Sequence, residues 1–144
     1  MSVDVEVLTV ITDEVVEAFA RLLPQLSTTA PPLDAAALAA IVAAPASTVL
    51  LARLDGRIVG TLTLVMFPTP TGIRAWIEDV VTDESARGQG VGKALTLAAL
   101  ELARAGGART VDLTTRPARE AAGRLYERVG FERRESRVYR FRTS

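Results

Sequence analysis

Three glycines alternate at Gly88, Gly90 and Gly92, between Arg87 and Lys93. The apolar run before them ends at Val80, Val81 and Thr82. After them Val91, Leu95, Ala98 and Leu102 recur at helical spacing, one apolar stripe. The stretch therefore reads as strand, glycine turn, helix. The first amides of a helix lack internal partners, and the helix dipole adds positive potential there. Glycines let the backbone bend and let an anion come close. Arg87 and Lys93 add charge, and a pyrophosphate is the natural occupant. Three other readings compete. A phosphate loop of the Walker type needs a hydroxyl after Gly-Lys, and Ala94 stands there. A dinucleotide fingerprint needs G-x-G-x-x-G, whereas these glycines alternate and Lys93 follows. The third is a plain flexible turn with a solvated arginine.

The chain contains no cysteine and no histidine. That excludes disulfides, thiolate metal sites, a cysteine nucleophile, a Ser-His-Asp triad and a histidine base. Proton transfer falls to carboxylates, tyrosine, lysine, a terminal amine or water. Glu78 and Asp79 stand just ahead of the glycine turn, and Tyr126 lies downstream. Each has a plainer reading: Glu78 as the structural partner of an arginine, Tyr126 as an aromatic at the core edge, Trp76 as core or pocket wall. In a regular strand Asp79 falls on the face opposite Glu78 unless a bulge intervenes. Seventeen basic and seventeen acidic residues balance, so no nucleic-acid partner is expected. Most Lys and Arg lie from Arg87 onward, which leaves room for a local anion site. No signal sequence or membrane-length apolar run is read, and a cytoplasmic protein is expected.

The elements that must position these residues follow from periodicity and turn chemistry. Val3–Val10 reads as a strand, then a helix capped by Thr12 or Asp13 and ending near Pro24. Ser27–Pro32 is a loop, and Asp34 caps a second helix over Ala35–Ala43 that Pro45 stops. Strands Thr48–Leu54 and Ile58–Met66 flank Asp55-Gly56-Arg57, a hairpin signal. Pro68–Gly72 is a second turn, and Arg74–Thr82 a third strand. The long helix after the glycine turn ends at Gly106-Gly107, Thr110–Thr115 is a strand, and a helix runs from Pro117 to Val129. Alternation at Val138, Tyr139, Arg140 and Phe141 closes the chain as one or two strands. The order β-α-α-β-β-β-α-β-α-β-β implies an α/β (α+β) fold: one domain, 1–144, with a mixed, mostly antiparallel sheet flanked by helices.

Three segments together resemble the GNAT superfamily of acyl-CoA-dependent N-acyltransferases. Arg87-Gly88-Gln89-Gly90-Val91-Gly92 resembles its signature Arg/Gln-x-x-Gly-x-Gly/Ala. Ile77-Glu78-Asp79-Val80-Val81 resembles its central strand, and Leu125-Tyr126 with Gly130-Phe131 its LYxxxGF segment. The resemblance implies an acetyltransferase using acetyl-CoA and no metal, as a monomer or homodimer, on a primary amine of a small molecule or peptide. It implies that the backbone of Val80, Val81 and Thr82 pairs with the pantetheine arm. It implies that Arg87, Gly88, Gln89, Gly90, Val91, Gly92, Lys93 and Ala94 hold the pyrophosphate. The thioester would sit where the central strand splays from the next one at a bulge. Glu78, partly buried, would take the amine proton, and Tyr126 would protonate the departing thiolate. Acceptors would bind near Ser27–Leu38, Pro68–Gly72 and the closing hairpin. Many members carry Asn where this chain has Arg119, and ribosomal-protein acetylating relatives carry a carboxylate where it has Thr114. A domain that binds acyl-CoA as a sensor without turnover is the competing function.

Overall fold

Valine-rich Val3–Val7 forms β1, and Thr12 starts helix α1, Asp13–Leu26, by accepting the Val15 N–H at 3.2 Å. Asp34 caps α2, Ala35–Ala43, through the Ala37 N–H at 2.8 Å. Strands β2, Ser47–Leu54, and β3, Arg57–Thr69, are joined by Asp55 and Gly56 at φ 52° and 80°. Two positive values in succession are what a type I′ hairpin turn demands. Strand β4 is Gly72–Thr82, followed by a single 3-10 turn, Glu84–Ala86, and helix α3, Val91–Ala105. Strand β5 is Thr110–Asp112 and helix α4 is Glu120–Val129. This is a computed structural model that describes residues 2–116 and 120–144. The chain divides into two compact units, Met1–Thr114 and Thr115–Ser144.

In the first unit the strands lie in the order β1-β2-β3-β4-β5. The first three pairings are antiparallel and β4–β5 is parallel, so the expected mixed, mostly antiparallel sheet is present. Paired residues share a face, and both faces are covered. Val49, Leu51 and Val81 pack with Val15, Phe19, Leu22 and Leu38 of α1 and α2. On the other face Leu50 pairs with Leu62 and Ala52 with Gly60, toward α3. Of the expected stripe Val91, Leu95, Ala98 and Leu102, the first two are buried and the last two half-buried, so the buried side is turned toward Ala99 and Ala103. Val91, Leu95, Ala99 and Ala103 are buried, with Thr96 returning its hydroxyl to the Gly92 carbonyl at 2.7 Å. Small residues at four-residue spacing bring the helix axis close to the sheet.

The second unit contains α4, and Pro117 lies outside the described residues. Gly130, at φ 121°, ends the helix, with its N–H and that of Phe131 bonding to the Tyr126 carbonyl at 3.2 and 3.0 Å. The one or two closing strands expected at Val138–Phe141 are not formed. Alternation makes a strand only beside a partner, and no other strand lies in this unit among the described residues. Val138, Tyr139 and Phe141 are exposed.

Gly60 marks the closest approach of helix and sheet. A Cβ there would lie 2.8 Å from Val91 Cγ1 and 3.2 Å from both Leu95 Cδ1 and the Val81 carbonyl oxygen. Gly60→Ala is expected to lower stability by about 1–3 kcal/mol through overpacking. Urea denaturation checks this; an unchanged midpoint would mean that α3 moves off the sheet at no cost.

Candidate active site

The pairing of β3 with β4 slips by one residue at its centre. Thr61 lies opposite Val81 and Thr63 opposite Glu78, so Leu62 faces both Asp79 and Val80. Asp79 has φ 51°, the left-handed geometry in which Asp is tolerated better than most residues. This is the bulge that the sequence reading made a condition. It places Glu78 and Val81, three residues apart, on one face, the face that α1 and α2 cover farther along. Glu78 is exposed rather than partly buried, and Asp79 beside it is exposed as well.

The other edge of β4 pairs with β5 only through Arg74–Trp76 against Thr110–Asp112. β5 is half the length expected, since residues 113–115 lie outside the strand. From Ile77 to Thr82 this edge has no strand partner among the described residues. An edge of that kind can take an extended chain as an added strand. Val80, Val81 and Thr82 lie along it.

That edge leads into the glycine turn. Arg87, Gly88, Gln89 and Gly90 are all exposed, and Gly88 and Gly90 have φ of 78° and 81°. A Cβ on either glycine would meet nothing within 4 Å, so backbone conformation, not crowding, demands glycine here. The same open space admits a ligand to the backbone. Gly90 is the N-cap of α3 and offers no side chain to the helix amides. Val91 is buried and anchors the helix start, while Gly92 and Ala94 are partly covered and Lys93 is exposed. An uncapped helix N-terminus flanked by Arg87 and Lys93 attracts an anion through backbone dipoles and side-chain charge together.

Tyr126 lies in the second unit, half-buried on α4, with its ring edge-on to Phe131 at 5.7 Å between centroids. Arg119 lies outside the described residues. Among the described residues no three His, Cys, Asp or Glu side chains group so as to hold a metal, and no helix is long and apolar enough to cross a membrane.

Asp83, between β4 and the 3-10 turn, has no counterpart in the sequence reading. It is 5% exposed and accepts the Ser85 N–H and hydroxyl, both at 3.1 Å, and the Arg21 guanidinium of α1. Burial pushes its carboxyl up, but the bonds from Ser85 and Arg21 together outweigh that and hold it below its usual range. Gln25, also on α1, accepts the Glu84 N–H at 2.9 Å. The only local signal was Asp83-Glu84-Ser85, a sequence suited to a capping turn. Arg21 stands 62 residues away, beyond any local pattern.

The chain matches the acetyltransferase (GNAT) family over residues 12–131. It is 39% identical over 119 residues to a glucosamine 6-phosphate N-acetyltransferase of Trypanosoma brucei brucei, covering 77% of this chain and 79% of that one. Its structure resembles that of a Trypanosoma brucei acetyltransferase with a TM-score of 0.78 and 32% identity, over 97% of this chain and 99% of the other. It also resembles a transcriptional regulator of Bacillus halodurans, with a TM-score of 0.79 and 28% identity over 97% and 99% of the two chains. The protein belongs to the GNAT acetyltransferase family. It is an acyl-CoA-dependent N-acyltransferase.

The folded Asp83 carboxyl titrates below its ordinary value of 3.8, so its contribution to stability is complete above that pH. The contribution is lost as pH falls through the lower folded value. Wild type should therefore exceed Asp83→Asn in stability at neutral pH, and the gap should close below roughly pH 4. Urea denaturation of both proteins across that range checks it; a gap that does not depend on pH would mean that the carboxylate charge contributes nothing.

Proposed function

We propose that the protein transfers an acetyl group from acetyl-CoA to a primary amine of a small molecule or peptide, by direct attack of the amine on the thioester. The observation that carries this reading is the continuity of two binding features. The edge of β4 from Ile77 to Thr82, which has no strand partner among the described residues, leads through the Glu84–Ala86 turn and the glycines to the uncapped N-terminus of α3. Acetyl-CoA has the matching shape: an extended arm bearing amides, then a pyrophosphate. The backbone of Val80, Val81 and Thr82 would pair with the arm. The turn Arg87, Gly88, Gln89 and Gly90, with Val91, Gly92, Lys93 and Ala94 of α3, would hold the pyrophosphate. The family match crosses from one compact unit into the other, which supports reading both as a single acetyltransferase domain.

No covalent enzyme intermediate is required, which suits a chain with neither Cys nor His. Glu78 would accept the amine proton through water, for which its exposed position on the bulged strand is suitable. A strand edge interrupted by a bulge can turn a backbone N–H toward the oxyanion of the tetrahedral intermediate. Tyr126 would supply the proton that the CoA thiolate takes as it leaves. The first acceptor to try is an amino-sugar phosphate, because the curated relative is named for glucosamine 6-phosphate.

Calorimetry with acetyl-CoA tests the cofactor site. Gly90→Val places a branched side chain in the open space beside the turn and forces it into the left-handed region, at about 1–2 kcal/mol of strain. Affinity should fall well beyond what that loss of stability implies. A folded variant that binds acetyl-CoA as wild type does would refute the site.

Turnover, followed as free CoA over a panel of amines that includes glucosamine 6-phosphate, tests the chemistry. Tyr126→Phe should lower kcat by about 10²–10⁴-fold with acetyl-CoA affinity unchanged. Glu78→Gln keeps the shape and removes the basicity, and should lower kcat by about 10²–10⁴-fold. Wild-type turnover in either variant would remove that residue from the mechanism.

A further inference from the structure

We propose that Arg21 and Gln25 of α1 are positioning residues that latch the glycine turn in its binding geometry. This rests on the reading of that turn as the acetyl-CoA site. The two residues stand one helical turn apart and so share a face of α1. Arg21 uses one amino group on the Asp83 carboxylate and the other on the Ile58 carbonyl, at 3.0 Å. Gln25 accepts the Glu84 N–H at 2.9 Å and donates to the Arg21 carbonyl at 3.2 Å. Asp83 in turn donates its own N–H to the Val59 carbonyl at 2.7 Å. The first two residues after β4 are thereby tied to α1 and β3 at once.

The turn itself has few supports of its own. Between buried Ala86 and buried Val91 run four exposed residues, two of them left-handed glycines. Their path is set by where those two ends are held. Val91 is fixed against the sheet beside Gly60. The other end is fixed by the Asp83–Ser85 turn, which the latch anchors. Displacement of that end re-aims every amide between it and α3. α1 does not need the latch for its own folding, since it has the Thr12 cap and buries Val15, Ala18, Phe19 and Leu22. Arg21 is partly exposed and lies outside the apolar core, so its replacement removes no core side chain and costs stability only through the Asp83 carboxylate left without its guanidinium.

The test is acetyl-CoA calorimetry and steady-state kinetics on the full chain. Arg21→Met should weaken acetyl-CoA binding roughly tenfold and raise its KM to match, with kcat at saturating acetyl-CoA within about twofold of wild type. Arg21→Lys, which keeps the cation but not the two-pronged reach, should fall between the two. Arg104→Met is the control. It breaks the exposed ion pair to Glu101 near the end of α3 opposite the glycine turn, and should leave affinity unaltered. Wild-type affinity in folded Arg21→Met overturns the latch. Should Arg21→Met fail to fold, Gln25→Leu decides by the same criterion, losing severalfold in affinity if the latch is real and nothing if it is not. Failure of the wild type to bind acetyl-CoA overturns the site reading and the latch with it. If Gly90→Val loses binding while Arg21→Met does not, the site stands and the latch alone falls.

Discussion

The packing of α3 across Gly60 is the contact from which the geometry of the site follows. A helix can bring its first amides to a fixed place only if its axis is fixed. Here Val91 and Leu95 lie so close to β3 that no side chain fits between them. The small residues Ala99 and Ala103 continue the approach, and Thr96 satisfies its hydroxyl within the helix, so the buried face carries no polar debt. The helix start is thereby set against the middle of the sheet, at the end of β4. The glycines of the turn then have one task, to bridge from strand to helix through backbone angles other residues resist.

The sheet contributes a second constraint, imposed by the residue that β4 carries in excess. An inserted residue changes which side chains share a face, and it bends the strand locally. In β4 it puts Glu78 with Val81, so an exposed carboxylate and a core valine occupy one face within a single bulge. At the same level of the strand, pairing with β5 has already stopped. A regular β4 with a full-length partner would have spent those backbone groups on the ladder. The short neighbour thus leaves an interior strand with an available edge from Ile77 to Thr82 among the described residues, while the bulge reshapes the opposite, β3-facing side of the same segment.

Much of this was legible because its causes are local. Thr12 and Asp34 start their helices as cap chemistry requires, Asp55-Gly56 makes the turn its residues favour, and Gly106-Gly107 ends α3. The glycine turn was legible for the same reason, since positive φ is a property of single residues. The placement of the bulge opposite Leu62 was not, because Asp79 looks like any other strand residue until its partner strand sets the register; the family resemblance implied only that a bulge occurs. Arg21 and Asp83 were not, because an ion pair across 62 residues leaves no periodic trace. The closing strands show the converse: Val138, Tyr139, Arg140 and Phe141 have the alternation of a strand, yet a strand is completed by its neighbour.

Net charge of zero fits the proposed site, which is built from backbone more than from side chains. Arg87 and Lys93 are exposed, so their attraction for a polyanion is weakened by salt. Amides at a helix start and along a strand edge carry no net charge and are far less sensitive to it. They also read shape: an unpaired strand edge accepts only an extended chain with its own donors and acceptors, and a helix terminus accepts only a compact anion. A ligand must offer both, in that order and at that spacing, to fill the two features together. A free nucleotide supplies the anion without the arm, and an extended peptide supplies the arm without the anion. Selection for a molecule that joins the two would therefore need no dedicated cationic pocket.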